Sequence, residues 1–104
     1  MQINKKRDGT IETFLLEGRL DTVTTPELQA VMEGGFDGLT ELVFELSRLE
    51  YVSSAGLRLI LNVHKKMAGQ GGRLVLRNVA PGVMDVFEMT GFADFLNIEK
   101  PDGV

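Results

Sequence analysis

The chain opens with two extended runs that are separated by an Asp-Gly pair. The first run, residues 2–6, alternates weakly between polar and apolar side chains, and the second, residues 11–17, is a strand pattern that ends at Gly18. Asp8-Gly9 between them is typical of a tight turn, because both residues tolerate positive φ. These features predict an N-terminal β-hairpin.

Three later segments have the spacing of helices with one apolar face. The first begins at Pro26, behind a threonine cap, and Thr24 with Glu27 offers an alternative capping box. The second, residues 53–68, is the most regular, and the third begins at Pro81. The side chains expected to face the core are Leu28, Val31 and Met32 in the first helix, Leu57, Ile60, Leu61, Met67 and Ala68 in the second, and Val83, Met84, Val86 and Phe87 in the third.

Buried strands are predicted between the helices. Residues 40–46 and 73–77 are apolar enough for this, and residues 92–98 hold a short apolar segment that makes the sheet four- or five-stranded. The order of hairpin, helix, strand, helix, strand, helix and short strand predicts an α/β fold with a mixed sheet, in which parallel strands follow the hairpin and are joined by right-handed crossover helices. Residues 47–52 are expected to connect a strand to the second helix, and residues 99–104 to fray.

Composition narrows the function further. The 104 residues support one domain, and their net charge of −4 argues against nucleic acid as the main partner. Cysteine is absent and His64 is the single histidine, which excludes thiol nucleophiles, disulfides and multi-histidine metal sites. No apolar run approaches the ~18 residues of a membrane span. We therefore expect a cytoplasmic protein that is not an enzyme, binds no cofactor or metal, and has no membrane partner.

Functional residues are expected where the strands end, because ligands of parallel sheets bind beyond the carboxyl ends of the strands. The segment 47–56 lies at such an end and contains Ser53 and Ser54, close to Gly56. One of the serines is expected to cap the second helix through its hydroxyl. Alternatively, a serine here is an exposed hydroxyl at a helix start, where a phosphoryl group is tolerated. The residue types alone leave both interpretations open.

Three other features receive structural interpretations. The glycine-rich residues 69–72 follow a helix and precede a strand, the reverse of a phosphate-binding loop, so they predict a helix end. His64 has no serine and acid at catalytic spacing and is expected at a half-buried helix edge. Most of the side chains Met84, Phe87, Met89, Phe92 and Phe95 are expected in the core, with one or two exposed for partner docking.

A specific resemblance appears in residues 49–58, Leu-Glu-Tyr-Val-Ser-Ser-Ala-Gly-Leu-Arg. This segment resembles the signature of bacterial anti-sigma factor antagonists, which belong to the STAS domain family. Residues 18–21 resemble the family's Gly-x-Leu-Asp segment, and residues 71–79 and 87–95 resemble its fourth strand and its C-terminal end. The resemblance covers nearly the whole chain and keeps the order of its elements, so it implies a single STAS domain over residues 1–104.

The resemblance also implies site residues. The usual family motif is Asp-Ser-x-Gly-Leu, whose serine is phosphorylated by a kinase that is itself the anti-sigma factor. By this motif Ser54 is the phosphoacceptor, and Ser53, which stands where the family has Asp, is the alternative acceptor. The residues expected to bind the partner are Asp21, Thr24, Ser53, Ser54, Gly56 and Arg58.

Two functions follow from this resemblance. In the first, the unmodified protein binds a serine-kinase anti-sigma factor and releases a sigma factor for transcription; phosphorylation ends the binding, and a PP2C-type phosphatase restores it. In the second, the chain is an unphosphorylated STAS adaptor in another bacterial signalling assembly, or binds a small ligand such as a nucleotide or lipid at the same loop. The absence of Asp at position 53 favours the second.

Overall fold

The computed structural model describes residues 1–99, and within them five strands form one sheet in the same order as in the chain. The elements are β1 (Gln2–Asp8), β2 (Ile11–Leu20), α1 (Thr25–Val31), β3 (Glu41–Val52), α2 (Ser54–Gly69), β4 (Arg73–Arg77), α3 (Pro81–Thr90), a 3₁₀ turn (Phe92–Asp94) and β5 (Asn97–Ile98). β1 is antiparallel to β2, and all other neighbours are parallel. The predicted α/β fold is confirmed, with five strands in its mixed sheet.

The helices all lie on one face of the sheet. The strand order never reverses, and right-handed crossovers that step in one direction place every helix on the same side. Buried residues of α1, α2 and α3 accordingly share one core cluster with Leu42, Phe44 and Leu46 of β3. Because side chains alternate along a strand, Val43 and Glu45 point to the opposite face, which carries no helix within residues 1–99.

The hairpin is confirmed, but its turn lies one residue later than predicted. Asp8 pairs with Ile11 in the ladder, so the two turn residues are Gly9 and Thr10. Gly9 has φ of 62°, whereas Thr10 is not among the residues with positive φ. A glycine with positive φ at the first central position is the requirement of a type II′ turn, so the hairpin depends on Gly9 rather than on Asp8.

The two central strands are longer than the pattern predicts. β2 continues past Gly18 to Leu20, and β3 continues past residue 46 to Val52, so the prediction that residues 47–52 form a connection is wrong. The register of the pair shifts between Leu15 and Glu17 and again after Gly18. Such irregularities break the two-residue alternation on which strand prediction relies. They carry both strands to a common end at Leu20 and Val52.

The buried faces of the helices also differ in part from the prediction. In α1, Leu28 is buried and Val31 is exposed, and Met32, the C-cap that follows the helix, is buried. In α2, Leu57, Ile60 and Met67 are buried as predicted, Leu61 is half-buried and Ala68 is exposed; Leu59 and Val63 are buried instead. α2 contacts both the sheet and α1, so its buried face is turned and widened relative to a helix that covers a sheet alone.

The C-terminal end is only partly described. Glu99 donates its backbone N–H to the Leu76 carbonyl at 2.8 Å and is therefore held, whereas residues 100–104 of the predicted frayed tail lie outside the described residues. No helix within residues 1–99 has the length and apolar character needed to cross a membrane.

We predict that Gly72→Ala destabilises the fold. A Cβ atom at Gly72 would lie 2.8 Å from the Thr40 carbonyl oxygen and 2.9 Å from Cε of Met67. Both distances are too short for a carbon atom, so the backbone or the Met67 side chain would have to move. The expected loss in the free energy of unfolding is about 1–3 kcal/mol, measured by urea denaturation. Gly82→Ala is the control, because its Cβ meets nothing within 4 Å in a helix and alanine is expected to be neutral or stabilising there. Equal stability of the two variants would contradict the close approach at Gly72.

Candidate functional site

The candidate site lies where β2 and β3 end side by side. Leu20 is the register partner of Val52, so the next residues, Asp21 and Ser53, start two neighbouring connections. The Ser53 backbone N–H donates to the Leu20 carbonyl at 2.9 Å and ties these connections together. The segment before α1 and the first turn of α2 therefore form one continuous surface.

Gly56 allows the first turn of α2 to lie directly on the end of β2. A Cβ at this position would be 2.9 Å from Leu20 Cγ and 3.0 Å from the Leu20 carbonyl oxygen. Any other residue would push the helix away from the strand. Gly56 is itself buried, so it positions the site and offers little surface to a partner.

The two serines of the site have different environments. Ser53 is the N-cap of α2, with φ −88° and ψ 175°, and its Oγ accepts a hydrogen bond from the Gly56 N–H at 3.3 Å. Ser54 is the first residue of the helix; its side chain is exposed and makes no hydrogen bond within the described residues. The cap that the sequence assigns to one of the two is therefore Ser53, and the free hydroxyl is that of Ser54.

Asp21 organises the turn that faces the serines. Its Oδ1 accepts the backbone N–H groups of Val23 and Thr24, each at 3.0 Å. The bond from the Thr24 N–H is the main reason why the pKa of Asp21 lies below its usual range; the Val23 N–H and the Arg19 guanidinium, 3.8 Å away, act in the same direction against partial burial. Asp21 is therefore a carboxylate at neutral pH, and the turn is ordered around its charge.

Thr24 belongs to the same network and does not form the predicted capping box. Its hydroxyl donates to the Arg19 carbonyl at 2.6 Å and accepts the Asp21 backbone N–H at 2.9 Å. The residue is the N-cap of α1, but its side chain makes no capping hydrogen bond. The hydroxyl is already engaged in closing the turn, which explains why no box with Glu27 forms.

Exposed side chains that the sequence did not single out surround this turn. Val23 is 78% exposed and Tyr51 40% exposed, so both offer apolar surface beside the turn. The Arg19 guanidinium lies over the Tyr51 ring, 4.2 Å from its centroid. Arg19 and Tyr51 are register partners in β2 and β3, but only the extended strands reveal this pairing. The exposure of Val23 could have been predicted from the sequence, because Val23 is the single apolar residue among the threonines at positions 22, 24 and 25.

The site has no catalytic partner for Ser54 within the described chain. His64 lies ten residues further along α2, about 15 Å along the helix axis, and its ring packs 5.7 Å from that of Phe95. No group of three or more His, Cys, Asp or Glu residues in the described range could hold a metal ion. What the surface offers is an accessible hydroxyl, a fixed carboxylate, and arginines at positions 19 and 58. Of the five Met and Phe side chains among which one or two were expected to be exposed for docking, Met89 is 85% and Phe95 44% exposed. Both are far in sequence from the residues of the candidate site.

The comparison with protein families identifies the fold. The family model of the STAS domain matches residues 2–101, nearly the full chain. The chain belongs to the STAS domain family. The resemblance carried by residues 49–58 is thereby confirmed, and STAS domains are small α/β modules of the kind described above.

Two relatives of this STAS domain are named as anti-sigma factor antagonists. BtrV of Bordetella bronchiseptica, a proposed anti-sigma factor antagonist, is 40% identical over 88 residues, which cover 84% of this chain and 75% of BtrV. The anti-sigma-B factor antagonist of Listeria monocytogenes is 26% identical over 95% of this chain and 88% of its own length. Among solved structures, the phosphorylated form of the Bacillus cell fate determinant SpoIIAA has a TM-score of 0.73, with 21% identity over 97% of this chain and 94% of SpoIIAA. At this identity the structural likeness concerns the fold.

The different environments of the serines predict different effects on stability. Ser53→Ala removes the hydroxyl that accepts the Gly56 N–H, and we expect a loss of about 0.5–2 kcal/mol in the free energy of unfolding. Ser54→Ala removes an exposed hydroxyl without a partner, and we expect a change within about 0.5 kcal/mol. Urea unfolding of both variants measures this difference. A larger loss for Ser54→Ala than for Ser53→Ala would mean that the cap is wrongly assigned.

The Asp21 carboxylate predicts a pH-dependent contribution to stability. Because folding lowers the pKa of Asp21, its stabilising effect is fully present above the ordinary pKa of an aspartate and is lost as pH falls through the lower value of the folded protein. Asp21→Asn should therefore be less stable than the parent chain at pH 7, and the two should converge in acid. Chemical denaturation at several pH values measures the difference. A difference that stays constant down to acid pH would contradict the stabilising role of the ionised carboxylate.

Proposed function

We propose that this STAS domain is a cytoplasmic anti-sigma factor antagonist that is switched by phosphorylation of Ser54. In its unmodified form it binds a serine-kinase anti-sigma factor, so that a sigma factor is released for transcription. The observation that carries the proposal is the free, exposed Ser54 hydroxyl beside the ordered Asp21 turn. The similarity to BtrV and to the Listeria antagonist supports the same role.

The environments of the serines favour Ser54 over Ser53 as the acceptor. The Ser53 hydroxyl is half-buried and holds the Gly56 N–H, so its modification would disturb the cap of α2. A phosphoryl group on Ser54 would leave this cap and the Gly56–Leu20 contact intact. The modification would then change the charge of the surface and leave the fold as it is.

The chemical step belongs to the partners. The γ-phosphoryl group of the ATP bound to the kinase would be transferred to Ser54 Oγ: the new bond forms from Oγ to phosphorus, the bond to the bridging oxygen breaks, ADP leaves, and the hydroxyl proton passes to a base of the kinase. A PP2C-type phosphatase would hydrolyse the phosphoserine with water, restore the hydroxyl and release inorganic phosphate. In this proposal the STAS domain acts as binding partner and substrate, and no residue of its own is catalytic.

Electrostatics explain why the modified protein would dissociate. Phosphorylation adds about −1.5 to −2 charge at neutral pH. The new charge would lie on a surface where Asp21 is already ionised, on a chain of net charge −4. Burial of a doubly charged group in the centre of an interface costs repulsion and desolvation. A central contact changed in this way commonly costs ~2 kcal/mol or more, which corresponds to ~30-fold in affinity.

The test is a pull-down from lysate of the source cells, read by mass spectrometry, with the parent chain, Ser54→Ala and Ser54→Asp as baits. We expect the parent chain and Ser54→Ala to retain a serine-kinase anti-sigma factor and Ser54→Asp to lose it. Ser53→Ala is the matched control, because it removes the neighbouring hydroxyl and should keep both the partner and the phosphorylation of Ser54.

A different set of partners would contradict the switch. If all baits recover the same proteins and none is a kinase, the adaptor or small-ligand function, which the missing Asp at position 53 favours, replaces the proposal. If the phosphate maps to Ser53 in the parent chain, the argument from the N-cap fails, whereas phosphorylation as the switch stands.

A further inference from the structure

Arg58 is placed to meet any group attached to Ser54. The two residues are four apart in α2, and both side chains are exposed. Side chains at this spacing lie on the same helix face with their Cβ atoms about 5–6 Å apart. Helical side chains lean toward the N-terminus of the helix, so the Arg58 side chain is directed back toward the turn that carries Ser54.

No acidic side chain of α2 competes for Arg58. The positions three and four residues before it are Ala55 and Ser54, and those three and four residues after it are Leu61 and Asn62. The first turn of the helix contains no acidic residue at all. A phosphoryl group on Ser54 would therefore be the only anion that Arg58 meets on its own helix face.

The other arginines near this end of the sheet already have partners. Arg19 lies 3.8 Å from the Asp21 carboxylate and stacks on Tyr51, and Arg48 lies 3.9 Å from Glu17. Arg58 forms no ion pair among the described residues. It is the cation at this surface that is available without breaking another contact.

We propose that Arg58 is the residue that receives the Ser54 phosphate, and that the switch consequently acts twice on the binding surface. In the unmodified protein Arg58 presents a free positive charge beside the Ser54 hydroxyl. After phosphorylation the guanidinium pairs with the phosphate, so a cation is withdrawn from the partner while an anion is added. This inference rests on the proposed phosphorylation of Ser54 and names the residue that amplifies it.

The direct test is a ³¹P NMR titration of protein produced with phosphoserine incorporated at position 54. Arg58→Gln should raise the second pKa of the phosphate by roughly 0.2–0.7 pH units, the range expected for an exposed ion pair. Arg58→Lys should restore part of the shift. The Asp21 carboxylate and the Arg19 guanidinium also lie at this end of the sheet. Both groups are present in every variant, so they do not contribute to the difference in the phosphate pKa between variants.

Lys65→Gln is the matched control for this titration. It removes one positive charge from an exposed position of the same helix, eleven residues beyond Ser54, and should leave the phosphate pKa close to that of the parent chain. Equal values for Arg58→Gln and Lys65→Gln would overturn the inference. The titration needs no kinase, so its result does not depend on the proposed partner.

The second test measures how strongly phosphorylation weakens binding to the recovered kinase. In the parent chain and in Lys65→Gln this ratio should be the same, and in Arg58→Gln it should fall about 1.4- to 5-fold, because the withdrawn cation no longer contributes. An unchanged ratio in Arg58→Gln would refute the double action. If unmodified and phosphorylated parent protein bind the kinase equally, the switch itself is refuted, and the titration still decides whether Arg58 holds the phosphate.

Discussion

The surface of this domain depends on the contact between the end of β2 and the first turn of α2. One backbone hydrogen bond, from the Ser53 N–H to the Leu20 carbonyl, and one missing side chain, at Gly56, let two chain segments meet at van der Waals distance. This contact fixes the first turn of α2 against the end of β2. It turns Ser53 inward as a cap, leaves Ser54 outside, and sets both beside the turn that Asp21 organises.

The Asp21 turn is ordered by hydrogen bonds within the turn itself. Its carboxylate holds two backbone N–H groups, and the Thr24 hydroxyl closes the loop onto the Arg19 carbonyl. A loop ordered by its own hydrogen bonds loses little conformational entropy on binding, so more of the contact energy appears as affinity. The same order means that Val23 is held out in solvent by its own backbone bond, rather than by any contact of its side chain.

The sequence predicts most of this fold because the residues that begin and end its helices and turns act locally. Pro26 and Pro81 lie in the first turns of α1 and α3, Gly9 makes the hairpin turn, and α2 ends at Gly69. What it misses is long-range. The register shifts after Leu15 and Gly18 arise from the pairing of β2 with β3, so the pattern of residues within β2 alone does not predict them. The family motif points to the pair of serines at the start of α2, whereas the fold around Leu20 decides which of the two caps the helix.

The helix-free face of the sheet has a consequence of a different kind. Val43 and Val75 lie there and are nonetheless buried. On the same face, polar and charged side chains pair across the strands: Arg73 with Glu41 at 2.8 Å, Arg77 with Glu99 at 3.3 Å, and Asn78 with Glu45. Burial alone would raise the pKa of Glu45, but hydrogen bonds from Ser47 and Asn78 hold it below the usual range. On this face the apolar side chains therefore lie among ion pairs and hydrogen bonds, where parallel sheets ordinarily have a second layer of helices. These ion pairs weaken when acid neutralises their carboxylates or salt screens their charges, so this face of the sheet responds to pH and ionic strength in a way that the apolar core beneath the helices does not.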